Sequence, residues 1–224
     1  MQKERLVLAV GLMLVLLGAC EEEPPFQRVT DATPIAPDPT TTDGKLTEGE
    51  RLVEGENTSE IFTPQVTFEL PPPKEGDEEF RVLRQTERLF MLDIGTGRQL
   101  VVARPDRVFT YTGPKPKLAK APADLRGWIT SIPHFRITKE GRGGPLKAPF
   151  LEVKAESAGP VPDTCPIDCV PIFWLEVDER SVFAVKGTEG RFYFPDGDLI
   201  VVLLAPDLGD LDPSVEDLLA SLRF

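Results

Sequence analysis

Twenty-three prolines and eighteen glycines are scattered through 224 residues, so little of the chain runs far enough without a breaker to build a long helix or a coiled coil. Between the breakers lie short apolar runs of strand length. The clearest is Arg88–Ile94, then Gly95-Thr96-Gly97, then Arg98–Arg104. Two β-rich runs flanking a glycine turn spell a hairpin, because glycine tolerates the positive φ that tight turns need. Arg107–Thr112 reads as a third strand, and Val66, Phe68 and Leu70 alternate with polar neighbours as in a half-buried one. A hydrophobic share of 41% is enough for a core. The expectation is a mainly β body.

The second half continues the pattern, with strands expected at 127–132, 135–138, 150–154, 172–177, 182–186, 191–194 and 199–204. Many short strands at this spacing argue for a small barrel or sandwich. The run Leu125–Ile132, read as a first strand, and the closing Pro195–Val202 resemble an OB-type β-barrel over residues 124–206. A Pro- and Cys-containing loop takes the place of that family's internal helix. Residues 113–123 are rich in Pro, Lys and Ala and lack a pattern, which suggests a seam between a β lobe at 61–123 and a barrel-like lobe at 124–224. Asp212 can cap a final helix, Pro213 suits its first turn, and Val215, Leu218, Leu219 and Leu222 form one apolar stripe.

The N-terminus is of another kind. Lys3 and Arg5 precede an uncharged run from Leu6 to Ala19. As a helix that run spans about 21 Å, short of the roughly 30 Å hydrocarbon core, so an export signal fits better than a lasting span. Leu17-Gly18-Ala19-Cys20 resembles the lipobox of bacterial lipoproteins. The resemblance implies that residues 1–19 are a signal peptide, removed in the mature protein. Cys20 then becomes the N-terminal residue, its thiol carrying diacylglycerol and its amine a further acyl chain such as palmitate. Such acylation holds a protein on a bilayer at about 0.8 kcal/mol per buried methylene. The implied location is the cell envelope, on the extracytoplasmic side. Glu21, rather than Asp, follows the cysteine and favours the outer membrane where a host has one.

Residues 21–60 carry eleven Asp/Glu against Arg28, Lys45 and Arg51, with few large apolar residues. Composition of this kind predicts a disordered acidic tether over 20–60. The whole chain has a formal charge of −12, which argues against nucleic acid as a partner. The partners that remain are the membrane, through the lipidated N-terminus, and an envelope protein or ligand of unknown identity.

Internal chemistry centres on Cys165-Pro-Ile-Asp-Cys169. Outside the cytoplasm such a pair is expected to close as a disulfide. Asp163 and Asp168 flank it, and no Lys, Arg or His occurs from 155 to 177, which disfavours thiolate. The competing reading is thiol-redox or copper handling, since a Cys-x-x-x-Cys with Pro after the first Cys is similar to the motif of Sco-type copper chaperones. In that family the metal-binding His follows the cysteines; here the only His, His134, precedes them. Ser131 near His134 lacks a nucleophile-elbow sequence, and Asp196/Asp198 and Asp207, Asp210 and Asp212 sit in turn-forming surroundings. No catalytic constellation, metal site or cofactor motif is found, and a non-enzymatic binding or scaffolding role is expected. A single Asn (Asn57), the 23 prolines and Arg in excess of Lys, 15 to 10, fit either a hot habitat or a GC-rich genome.

Overall fold

A computed structural model describes residues 46–72, 79–112, 116–156, 160–161, 165–175 and 180–224. The segment expected as a signal peptide, Cys20 and the expected tether as far as residue 45 lie outside them. Among the described residues the protein is mainly β, with its strands in three antiparallel sheets and a short C-terminal helix.

The central sheet has seven strands. Its order is β3 (Arg81–Thr86), β4 (Leu89–Asp93), β5 (Gln99–Ala103), β14 (Leu199–Ala205), β13 (Glu189–Asp196), β9 (Ala148–Ala155) and β8 (Phe135–Gly143). A second sheet runs β10 (Pro160–Val161), β11 (Cys165–Leu175), β6 (Arg107–Thr110) and β7 (Lys117–Lys120), with β12 (Arg180–Val185) also paired to β11. A two-stranded sheet joins β1 (Gly55–Ser59) to β2 (Val66–Leu70). The end strands of the central sheet, β3 and β8, do not meet, so the architecture is a sandwich and the OB-type barrel is not formed.

The central sheet is buried on both faces, which is why its middle strands read as unbroken apolar runs. Leu100, Val102, Val201 and Leu203 enter one core, with Phe62, Phe68 and the stripe of the helix α2 (Pro213–Ser221). Val101, Ala103, Ile200 and Val202 enter the other, with Val170, Ile172 and Phe173 of the second sheet and with the helix α1 (Leu125–Thr130). The β4–β5 hairpin forms as expected. Gly95, Thr96 and Gly97 all hold positive φ, and Asp93 Oδ1 accepts the Gly95 N–H at 3.0 Å. In α2 the expected stripe is buried throughout. Asp212 stands at the N-cap position, yet its side chain makes no capping bond and instead lies 3.7 Å from Arg98.

Four expectations change. Residues 125–130 are a helix, not a strand: Asp124 accepts the Gly127 N–H at 2.8 Å, and Leu125, Trp128 and Ile129 bury one face at i, i+3, i+4. The stretch read as a seam contains β7, and the segments 61–123 and 124–224 share one central sheet instead of standing as separate lobes. The cysteine segment read as a loop runs into β11, which accommodates Pro171 by a register shift between Pro171 and Phe173. Finally, part of the stretch expected as a disordered tether over 20–60 belongs to the folded body. Leu46 and Leu52 are core residues, and β1 occupies part of 46–60.

A buried polar knot holds that N-terminal piece. Ser59 Oγ donates to Gln85 Oε1 at 3.1 Å, and the Gln85 amide donates to the Leu46 carbonyl. Asn57 Nδ2 donates to the Val53 and Gly55 carbonyls, which gives the lone asparagine a structural task. Replacing Gln85 by Ala strips partners from a buried hydroxyl and a buried carbonyl, a loss of about 2 kcal/mol. The expected result is a lower denaturant midpoint with an unchanged slope; an unchanged midpoint would show that 46–59 is held by its apolar and backbone contacts without the Gln85 side chain.

Candidate functional site

Cys20 lies outside the described residues, so the geometry bears only on the internal pair. Cys165 opens β11, and its backbone pairs with Val161, but its side chain is outside the description. Cys169 stands opposite Val185 of β12, is fully buried, and is not a free thiol. The charge around the segment differs from what sequence distance suggested. Lys186, seventeen residues beyond Cys169, returns along β12 and places Nζ 3.1 Å from Asp168 Oδ2. Asp168, one of the two carboxylates expected to act on the sulfurs, is therefore paired with a cation, and Asp163 lies outside the described residues. The argument for an inert pair then rests on burial and strand geometry.

Next to this strand, the Tyr111 hydroxyl donates to the Pro171 carbonyl at 2.6 Å, and burial pushes the phenol well above its ordinary range. The His134 ring meets Tyr111 edge-on, with centroids 5.3 Å apart. His134 is thus half-buried against an aromatic ring. Ser131 Oγ donates to the Trp128 carbonyl at 2.7 Å, at the end of α1, so it is held as a helix-terminal hydroxyl and not as the partner of His134. Asp198 lies 3.5 Å from Arg104, just beyond β5, and Asp207 accepts the Gly209 N–H at 3.0 Å, closing a turn. Among the described residues, no group of three His, Cys, Asp or Glu side chains could hold a metal ion.

A cluster that sequence reading missed lies on β9 and β13. Glu152 Oε1 accepts from Arg191 Nη2 at 2.7 Å and from Nε at 2.9 Å, with both side chains under 15% exposed. Lys139 approaches the same oxygen at 3.6 Å. Lys139 and Arg191 also flank the Phe150 ring, 5.9 and 5.8 Å from its centroid. The ring lies across Gly141 of the neighbouring strand, where a Cβ would come within 2.9 Å of it. The signal available in the sequence was alternation: Glu152, between Leu151 and Val153, and Arg191, between Gly190 and Phe192, face each other in register.

Further along β13, Glu189 joins two elements. It accepts the Leu208 N–H at 3.2 Å and pairs with Lys154 at 3.1 Å. That backbone bond first, and the Lys154 ammonium second, hold its carboxyl below the usual value.

No family model, curated protein or solved structure matches the chain.

A lowered native pKa means that Glu189 stabilises the fold above the ordinary carboxylate pKa of 4.5, and that this contribution disappears as pH falls through the native value. Glu189→Gln is expected to melt roughly 1–3 °C below the native protein at neutral pH, the scale of a partly exposed ion pair. In acid the two proteins should converge. A gap that persists at pH 3 would assign the effect to lost packing instead.

Proposed function

We propose that this is a lipid-anchored envelope protein facing the extracytoplasmic side, whose β-sandwich serves as a binding or scaffolding module near the membrane. The observation that carries the reading is Leu17-Gly18-Ala19-Cys20 at the end of an uncharged run behind two basic residues. A short export signal ending in a nucleophilic thiol is what lipid transfer requires. Among the described residues, no helix is long and apolar enough to cross a membrane. The anchored body offers surface, and none of its side-chain clusters described above assembles a nucleophile with a base.

The cysteine pair belongs to the same proposal as a structural disulfide between Cys165 and Cys169. Its support is the buried, engaged state of Cys169 and an envelope setting that oxidises thiols. The runner-up, thiol-redox or copper handling at Cys165/Cys169, gains one point from Lys186, which neutralises Asp168 next to the pair.

Two experiments decide these readings. Cys20→Ala should abolish lipidation and move the protein from the membrane to the soluble fraction, with mass spectrometry showing no acyl chains. Retention of both mass and membrane attachment would overturn the anchor. For the pair, thiol titration of the purified protein should find neither Cys165 nor Cys169 free. Replacing both by Ser should lower the melting temperature while keeping the fold, as expected for a short loop whose closure contributes about 2 kcal/mol. A reduced pair holding stoichiometric copper would replace the scaffold reading with the metal-handling one.

A further inference from the structure

The two ends of the central sheet are finished differently. At β3 the preceding chain pairs with the strand: Gly49 donates to the Val82 carbonyl at 2.7 Å, and Val82 donates back to Glu50 at 3.0 Å. At the other end stands β8, nine residues long, and among the described residues no strand pairs with its outer side. From Arg136 to Glu140 all five residues are exposed. A long strand with an unpaired row of N–H and C=O groups is a template for another chain.

The charge on this edge is opposite to that of the protein. From Arg126 through Lys154 there are six Lys/Arg and two Asp/Glu, a net +4 within a chain of net −12. On β8 itself Arg136, Lys139 and Arg142 outnumber Glu140. Lys139 reaches toward Glu152 and Phe150, whereas Glu140 is held by Arg126 of α1 at 2.7 Å. Arg142, two residues beyond Glu140, makes no hydrogen bond or ion pair among the described residues, and lines a hollow of about 290 Å³ with Arg126, Glu140, Gly141 and Pro149.

Two copies paired antiparallel about Lys139 would set that lysine directly against its own counterpart, and directly opposed like charges destabilise a strand pair. A strand bearing carboxylates opposite the cations of β8 would be complementary. We propose that β8 is a docking edge for an extended acidic segment of a partner protein, which adds to the central sheet as a further strand. Backbone bonds supply the pairing, and Arg136, Lys139 and Arg142 select for carboxylates. The proposal rests on the binding reading above and names its partner chemistry.

The test uses the full-length protein and a blocked synthetic peptide of about ten residues that alternates Glu with Thr or Val. Controls are the same peptide with alternate amides N-methylated, a Lys-for-Glu version, and phosphatidylglycerol vesicles presented to the unlipidated Cys20→Ala chain. The acidic peptide should bind, and N-methylation should weaken it about tenfold or more, the scale of one or two lost backbone hydrogen bonds. Combined Arg136→Glu, Lys139→Glu and Arg142→Glu should weaken it at least as much. Should that variant melt early, Lys139→Gln with Arg142→Gln gives a milder check. Failure of the acidic peptide to bind, equal binding of the N-methylated copy, or binding to vesicles alone would overturn the proposal. Co-purification from membranes separates the two levels. Partners kept by the β8 variants overturn the edge and leave scaffolding standing, whereas a native protein without any partner removes the binding reading itself.

Discussion

The pairing of β5 with β14 is the constraint on which the rest of the fold depends. Val101 faces Val202 and Leu100 faces Leu203 in the middle of a sheet covered on both sides. No water reaches the backbone there, so each N–H and C=O must find its partner in the ladder. Register is fixed as strongly. A slip by one residue would exchange the side chains of the two cores, sending Val101 where Leu100 belongs. The remaining elements can be understood as the cover this strip demands: β1, β2 and α2 over one face, the second sheet and α1 over the other. The C-terminus closes the cover. Arg223 exchanges backbone hydrogen bonds with Thr67, and Ser221 bonds the backbone of Glu69.

Local signals were legible where one residue decides a local geometry. Gly95 and Gly97 announced their hairpin, the Val66/Phe68/Leu70 alternation announced β2, and the tail stripe announced α2. What stayed hidden was decided at a distance. Leu46, Leu52 and Ser59 sit in an acidic stretch whose composition reads as unfolded, and their anchor, Gln85, is 39 residues from Leu46 and 26 from Ser59. Composition sums over neighbours in sequence, while burial counts neighbours in space. The helix α1 was missed for another reason. Six residues containing Gly127 and the β-favouring Trp128, Ile129 and Thr130 look like a strand by content, and only the Asp124 cap with its i, i+3, i+4 spacing marks them as helical. β11 was obscured by its prolines. Pro171 sits where the register to β12 shifts, a place in a sheet where a missing N–H costs little.

The candidate site divides along the same line. The lipobox resemblance at residues 17–20 lies outside the described residues and rests on the sequence alone. The environment of Cys169 does need the fold: Lys186 reaches Asp168 only because β12 turns back along β11. A list of charges near a cysteine in sequence therefore left this cation out. Glu152, Arg191 and Phe150 were invisible as a group for the same reason, since β9 and β13 lie almost 40 residues apart in the chain and meet only as sheet neighbours.

Net charge is subject to the same correction. A total of −12 describes the field that another molecule feels from afar, and that field is screened over about 8–10 Å at physiological salt. Contact is governed by the nearest groups. Along β8 those are Arg136, Lys139 and Arg142, and so the exclusion of anionic partners drawn from the total does not extend to this edge. An acidic strand approaching it would first be repelled by the whole and then attracted at contact. Added salt would then act in opposite directions on the two stages, easing approach and weakening the docked state. Selectivity under these terms comes from the dissociation step, where side chains and backbone must both fit, and not from electrostatic steering of the encounter.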